Sequence, residues 1–136
     1  MPRLHVLAVA ARLPAWAESA CADYAKRMPK GYEVARVSLK PAELAGVHAR
    51  FARSSVVALD ERGEDLTTAA FSRLLSRETA FVIGGADGLP EAFKKKSARL
   101  LRLSSLTLPH ALAQVVLLEQ LYRAATLLVG HPYHRS

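Results

Sequence analysis

The stretch that decides the fold is Ala80-Phe81-Val82-Ile83-Gly84-Gly85-Ala86-Asp87-Gly88. A short apolar run passes directly into a glycine-rich turn, which is typical of a buried strand that ends at a loop. Because glycine has no Cβ, Gly84, Gly85 and Gly88 allow a ligand to approach the backbone closely. The loop lacks the lysine of a Walker sequence and the glycine order of a dinucleotide fingerprint, which argues against phosphate binding. A plain tight turn remains an alternative.

Strands and helices alternate on both sides of this stretch. The pattern predicts five strands, at residues 3–10, 33–39, 55–59, 80–83 and 100–103. It predicts helices at residues 15–28, 41–53, 67–76 and 110–129, with a further helix that begins at Pro90. Such alternation favours an α/β fold with a parallel sheet between two layers of helices. The length of 136 residues fits one domain spanning residues 1–136.

The apolar spacing also predicts which helix faces are buried. In the first helix Trp16, Ala20 and Tyr24 recur every four residues and therefore form the predicted core face. In the last helix the predicted core face contains Leu112, Val115, Val116, Leu121, Tyr122 and Val129. Asp60 is predicted to begin a loop, and Thr67 or Thr68 to cap the following helix.

The composition limits the classes of function. Nineteen Lys and Arg against twelve Asp and Glu give a net charge of +7, which fits an anionic partner such as RNA or a membrane surface, or simply a basic surface. Cys21 is the only cysteine, so an intramolecular disulfide is impossible and a reducing compartment is expected. No run of about 18 apolar residues occurs, so we expect no membrane span and a cytoplasmic protein.

Three loops at the predicted carboxyl ends of strands form the candidate site, at residues 59–63, 83–88 and 104–109. Ligands of parallel sheets bind beyond these ends. In the third loop, backbone groups could hold an adenine edge while Leu106 and Leu108 cover its faces. On its own, this loop also fits an ordinary connection between a strand and a helix.

Polar side chains outside these loops have two interpretations each. Lys94, Lys95 and Lys96 form either a solvated helix face or a phosphate contact, and Glu119 and Arg123 have the spacing of a structural ion pair. The tail His131-Pro132-Tyr133-His134-Arg135 gathers two imidazoles, a phenol and a guanidinium, although a frayed terminus is an alternative. Its spacing does not indicate a metal site, and none is predicted.

Four ordered segments together closely resemble the RlmH family of the SPOUT superfamily. They are residues 81–89, 103–110, 118–124 and 131–135, and the resemblance extends over nearly the whole chain. Members of this family methylate N3 of a pseudouridine in 23S rRNA. The resemblance therefore implies an S-adenosylmethionine-dependent methyltransferase that acts on the assembled ribosome as a cytoplasmic homodimer. It also implies a SPOUT-type α/β fold whose C-terminal third forms a trefoil knot, an exception to the usual absence of knots.

The resemblance assigns roles to particular residues. The implied cofactor-binding residues are Leu59, Gly84, Gly85, Gly88, Ser104, Ser105, Leu106, Thr107, Leu108 and Pro109. The candidates for assisting loss of the N3 proton are His110, Tyr133, His134 and Arg135. His134 is the first choice for a base, because imidazole titrates near physiological pH. The implied geometry brings the tail of one subunit to the methyl donor of the other.

Two features depart from the family pattern. Gln114 stands where similar proteins commonly carry arginine, and the segment between Leu39 and Ser55 is shorter and less basic than in many of them. RNA affinity is therefore expected to be weaker, or to depend more on residues 94–96. Two alternatives follow, namely a SPOUT-like methyltransferase with another rRNA or tRNA target and a catalytically silent RNA-binding protein.

Overall fold

The computed structural model describes residues 3–9 and 12–135, with the side chains of all of these except His134 and Arg135. Five apolar segments form one parallel sheet in the order β2-β1-β4-β3-β5. The strands are β1 Leu4–Val9, β2 Val34–Leu39, β3 Ser55–Asp65, β4 Thr79–Ile83 and β5 Arg99–Arg102. All five residues of the central strand β4 are buried, which explains its continuous apolar sequence.

Helices cover both faces of the sheet. They are α1 Ala15–Arg27, α2 Val47–Arg50, α3 Thr68–Ser72, α4 Glu91–Lys96 and α5 His110–Val129, with 3-10 turns at Pro41–Gly46, Arg73–Ser76 and Pro132–Arg135. One core contains side chains of α1, α3 and α5, and the other contains those of residues 41–51 and α4. The predicted α/β class, with a parallel sheet flanked by helices, is confirmed.

The prediction that Asp60 begins a loop is wrong, because β3 continues to Asp65. After an irregularity, β5 pairs with β3 a second time, so that Leu101 lies opposite both Leu59 and Glu64. Gly63 allows this close return, since a Cβ there would lie 2.7 Å from the backbone nitrogen of Leu101. The extension depends on a partner strand far along the chain, which the local sequence does not encode.

The predicted helix over residues 41–53 is also wrong in form. Residues 41–46 make a 3-10 helix and α2 adds only four residues before the chain turns at Phe51. The carboxylate of Glu43 accepts a hydrogen bond of 2.7 Å from the Lys40 backbone and starts this segment. Gly46, a poor helix former, separates the two pieces.

Both predicted helix faces need correction. Trp16 is 57% exposed, and the buried residues of α1 are Ala17 and Cys21, whose small side chains bring the helix close to its neighbours. In α5, Leu121 and Tyr122 are buried as predicted, whereas Leu112 and Val129 are exposed and Val115 and Val116 are half-buried. The face of α5 that packs into the fold instead contains Gln114, Leu117, Leu118, Ala124, Ala125 and Thr126.

Helix α5 is long and apolar enough to cross a membrane by length and composition alone, although 44% of that stretch is buried inside the fold. It packs against α1 and α3. Its position is that of a core helix.

Candidate active site

The glycine loop, residues 84–88, begins where β4 ends. The Gly88 amide donates a hydrogen bond of 3.0 Å to the Gly85 carbonyl, and Gly88 has a φ of 71°, a conformation that glycine favours. A Cβ on Gly84 would lie 2.5 Å from the carbonyl carbon of Gly88. The two ends of the loop are therefore in backbone contact, and position 84 has no room for a side chain.

Helix α5 is joined to this loop through its first residue. The Nδ1 atom of His110 lies 2.9 Å from the Gly84 carbonyl oxygen, and Nε2 lies 2.8 Å from the amide nitrogen of Gln114, one turn later. Gln114 is only 4% exposed. Both ring nitrogens of His110 therefore have partners, and the start of α5 is fixed against the end of β4.

Strand β3 and the loop after β5 border a cavity of about 130 Å³. Of the predicted cofactor residues, Leu59, Ser104, Leu106, Thr107 and Leu108 line it, together with Asp60, Glu61, Leu101, Arg102, Leu103 and Ala113. Ser105 and Pro109 belong to the same loop without lining the cavity. Mainly apolar walls with a few hydroxyl and backbone groups suit one face of a planar heterocycle.

Gly85 and Gly88 line a different cavity, of about 870 Å³, with residues 38–44 on its other side. The structure therefore brings the predicted cofactor residues to one edge of the sheet but distributes them over two cavities. Gly84 connects the two groups, because its carbonyl contacts the helix that follows loop 104–109.

An ion-pair cluster borders the smaller cavity and was not predicted. The Lys94 ammonium lies 3.0 Å from Glu91 Oε1 and 3.5 Å from Asp60 Oδ1. The hydrogen bond that Lys94 donates to Glu91, with the charge of Asp60, raises the pKa of Lys94. Lys94 is thus occupied within the protein, whereas Lys95 and Lys96 are exposed. The sequence signal that could have indicated this cluster was the position of Asp60 directly after Leu59, a predicted cofactor residue.

The tail folds back and packs against α5 through Tyr133. The Tyr133 hydroxyl donates a hydrogen bond of 2.9 Å to Glu119, which also accepts bonds from Arg123 Nε at 3.0 Å and Nη2 at 2.8 Å. The Tyr133 ring packs edge-on against Tyr122, with centroids 4.6 Å apart. Burial, aided by hydrogen bonds, holds the pKa of Tyr133 well above its usual value. The side chains of His134 and Arg135 lie outside the described residues.

The candidate catalytic residues do not meet within one chain. His110 is the first residue of α5, and Tyr133 lies beyond its end at Val129. Glu119, which accepts the hydrogen bond from Tyr133, lies nine residues after His110, about 13 Å along the helix at 1.5 Å per residue. The tail therefore folds back to the middle of α5, whereas the glycine loop contacts its first turn.

A third cavity, of about 680 Å³, adjoins Gln114 between α1 and the ends of β1 and β2. The guanidinium of Arg36 forms two hydrogen bonds of 2.9 Å with the Glu18 carboxylate at this cavity. Among the described residues, no group of three or more His, Cys, Asp or Glu side chains is arranged to hold a metal ion.

A family model described as a predicted SPOUT methyltransferase matches residues 2–134. The chain belongs to the SPOUT methyltransferase family. Curated relatives of this SPOUT methyltransferase include the ribosomal RNA large subunit methyltransferases H of Dechloromonas aromatica, 44% identical over 154 residues, and Bordetella pertussis, 43% identical over 155 residues. Each alignment covers 98% of this chain and 99% of the relative. The resemblance to the RlmH family is therefore confirmed.

The alignments also support a shortened chain. Because 98% of 136 residues is about 133, about 21 of the 154 aligned positions hold no residue of this SPOUT methyltransferase. In this chain residues 41–50, between β2 and β3, make one 3-10 helix and one four-residue α-helix.

Solved structures share the fold at low identity. The SpoU methyltransferase AviRb from Streptomyces viridochromogenes, in complex with AdoMet, has a TM-score of 0.54 at 15% identity and covers 94% of this chain and 58% of its own. The A. aeolicus TrmH/SpoU tRNA modifying enzyme has a TM-score of 0.60 at 11% identity and covers 96% and 78%. These likenesses concern the fold of this SPOUT methyltransferase alone.

Proposed function

We propose that this SPOUT methyltransferase transfers the methyl group of S-adenosylmethionine to N3 of a pseudouridine in 23S rRNA of the assembled ribosome. The observation that carries the proposal is the match, over nearly the whole chain, to curated rRNA large subunit methyltransferases H. The enzyme acts in the cytoplasm as a homodimer, and its partner is the ribosome rather than a membrane.

The loops at the edge of the sheet fit the cofactor. A Cβ on Gly85 would lie 3.0 Å from the Val9 carbonyl oxygen, so the glycine loop lies close to the end of β1 and position 85 has little room for a side chain. Leu59 and residues 104–109 would hold the adenosine portion, while residues 84–88 shape the remainder of the site. When bound, the cofactor would supply a methyl group on a sulfonium, from which a neutral thioether leaves readily. The loops need only align it with the acceptor.

The acceptor nitrogen requires more help from the protein. N3 of pseudouridine is a weakly acidic imide, so its lone pair becomes available as the proton leaves. In this proposal His134 accepts that proton and Arg135 stabilises the negative charge. Tyr133 already donates its hydroxyl to Glu119 and has a raised pKa, which suits an anchor for the tail. His110 has both nitrogens engaged at the glycine loop.

The active form is a dimer of this chain. Tyr133 is held at Glu119, about 13 Å along α5 from His110, so in this proposal a complete site takes the tail of one subunit and the loops of the other. Trp16, Leu112, Leu128 and Val129 expose apolar surface on the paired helices α1 and α5, which a second copy would cover. Light scattering should report about twice 14.8 kDa.

RNA would approach the same edge of the sheet. Arg62, Lys95 and Lys96 are exposed on segments next to the smaller cavity, which Asp60 lines. The chain has a net charge of +7. Phosphate contacts by such side chains position an RNA without reading its sequence. Added salt should therefore weaken RNA binding less steeply when Lys95 and Lys96 are replaced by alanine.

The C-terminal third forms a trefoil knot in this proposal. The family match supports this, and the strand order β2-β1-β4-β3-β5 requires the chain to cross β3 between β4 and β5.

The decisive experiment maps methylated pseudouridine in rRNA from a strain without this gene. Mass spectrometry of 23S rRNA fragments should show loss of one N3-methylpseudouridine, restored by the wild-type gene. Loss of a methyl group elsewhere in rRNA or tRNA would favour another SPOUT target. Unchanged methylation of all RNA would favour a silent RNA-binding protein.

A further inference from the structure

The hydrogen bonds around His110 determine where its proton lies. The Gly84 carbonyl can only accept a hydrogen bond, so the His110 Nδ1 atom, 2.9 Å away, must carry hydrogen. In a neutral ring Nε2 then has a lone pair, which accepts a hydrogen bond from the amide nitrogen of Gln114 at 2.8 Å. The contacts are consistent with one tautomer, protonated on Nδ1.

Gln114 is well placed to fix that tautomer. It is 4% exposed and lies one helical turn after His110, so its side chain has little freedom to turn away. Loss of a partner from such a buried polar pair leaves the other group unsatisfied, which is costly. The amide of Gln114 therefore acts on Gly84 through the ring of His110.

We propose that Gln114 and His110 are positioning residues that hold the Gly84 carbonyl, and with it the glycine loop, in the arrangement that receives the cofactor. The inference rests on the proposed assignment of this loop to S-adenosylmethionine. Within the loop, the hydrogen bond from Gly88 to Gly85 maintains the turn but does not tie it to α5. The contact between His110 and Gly84 joins the loop to the helix that follows residues 104–109. Both ligand-binding segments are thereby held relative to each other.

Nuclear magnetic resonance tests the tautomer directly. Long-range proton–nitrogen correlation spectra of the full-length dimer, with His110 assigned by comparison with His110→Asn, should show a protonated Nδ1 and a bare Nε2 at neutral pH. In Gln114→Glu the carboxylate can only accept, so both nitrogens should become protonated. A wild-type ring protonated on Nε2 alone would overturn the proposal.

Calorimetry with S-adenosylmethionine tests the positioning role. His110→Ala and Gln114→Leu should each weaken binding roughly 3- to 10-fold, the effect of one buried hydrogen bond. His110→Asn should recover most of the affinity, because its amide nitrogen can donate to the Gly84 carbonyl in place of Nδ1. Gln120→Leu is the matched control, a half-buried glutamine on the same helix that bonds Thr68 and Glu119, and it should leave cofactor affinity and the His110 signals unchanged.

Gly84→Ala separates this inference from the proposed site. If Gly84→Ala abolishes cofactor binding while folded His110→Ala and Gln114→Leu bind normally, the positioning role is overturned and the site stands. If folded Gly84→Ala also binds normally, the glycine loop is not the cofactor site and both proposals fail.

Discussion

The first turn and the middle of α5 hold different parts of the molecule. In the first turn, His110 and the buried Gln114 hold backbone, namely the carbonyl of Gly84. In the middle, Glu119 and Arg123 hold a side chain, the phenol of Tyr133. The first region shapes the proposed cofactor site, and the second holds the polar tail. Because about 13 Å of helix separates His110 from Glu119, the two regions are distinct within one chain.

Removing the tail should have the largest effect. A chain without residues 133–136 keeps both cavities and the glycine loop, so we expect cofactor affinity near that of the wild type. Methyl transfer to ribosomes should fall by orders of magnitude, because the proton acceptor is lost. Radiolabelled methyl transfer and calorimetry on the same preparation measure the two quantities. Wild-type transfer by the truncated dimer would refute a catalytic role for the tail.

Mixed dimers sharpen the same comparison. A tail-truncated subunit paired with a Gly84→Ala subunit should retain one working site, since the intact tail and the intact glycine loop come from different chains. At a cofactor concentration that saturates only the wild-type loop, each parental homodimer should be much less active than the mixed dimer. A purified, folded heterodimer with no activity would contradict the exchange of tails between subunits.

Gly84→Ala should have the next largest effect, confined to the start of α5. The new Cβ would lie 2.5 Å from Gly88 and 2.9 Å from the Leu89 nitrogen, all backbone atoms that must move. We expect a loss of stability of about 1–3 kcal/mol and weakening of cofactor binding by about tenfold or more. Gly88→Ala is the matched control for space, because nothing lies within 4 Å of its added Cβ, although its positive φ adds strain. Equal affinity in folded Gly84→Ala and the wild type would mean that the glycine loop is not the cofactor site.

The sequence predicted the local parts of this comparison better than the distant ones. Continuous apolar runs identified all five strands, and the bounds of α5 agree with the structure because its ends are marked by Pro109 and Gly130. The extension of β3 was missed, since it depends on pairing with β5. Trp16 was assigned to the core because periodicity identifies a stripe of apolar residues but not which side of the stripe faces the sheet.

The site shows the same limit. Of the residues predicted to share one site, Leu59, Ser104, Leu106, Thr107 and Leu108 line the smaller cavity, whereas Gly85 and Gly88 line another. The partners of individual side chains were not predicted. The spacing of His110 and Gln114, four residues apart on one helix, was a usable signal for their contact. The docking of Tyr133 on Glu119 spans 14 residues and the end of the helix, so no periodicity indicated it.

Glu119→Gln, in the middle of α5, should have a smaller effect on stability and methyl transfer. Glu119 accepts from Tyr133, Arg123 and Gln120, and its charge raises the pKa of Arg123. A neutral amide keeps the shape but weakens charge-assisted bonds, so we expect a loss of about 1–2 kcal/mol in the free energy of unfolding. Cofactor affinity should not change, whereas methyl transfer should fall with the loosened tail. Urea unfolding measures the loss of stability, and calorimetry measures cofactor affinity. Weakened cofactor binding would contradict the separation of Glu119 from the glycine loop.

Glu18→Gln should have the smallest effect and provides the counterpart near the start of α5. The carboxylate of Glu18 is 56% exposed, against 20% for Glu119, so solvent screening limits its pair with Arg36 to less than about 1 kcal/mol. The hydrogen bonds from Arg36 lower the pKa of Glu18 below its ordinary 4.5. Since the folded-state pKa is the lower one, the stabilisation is complete above pH 4.5 and is lost as the pH falls through the folded-state value. Urea unfolding of wild type and Glu18→Gln should therefore differ slightly at pH 7 and converge in acid, while 1 M salt should reduce the difference at pH 7. If the difference in the free energy of unfolding persists undiminished below both pKa values, Glu18 acts through packing at the 680 Å³ cavity rather than through its charge.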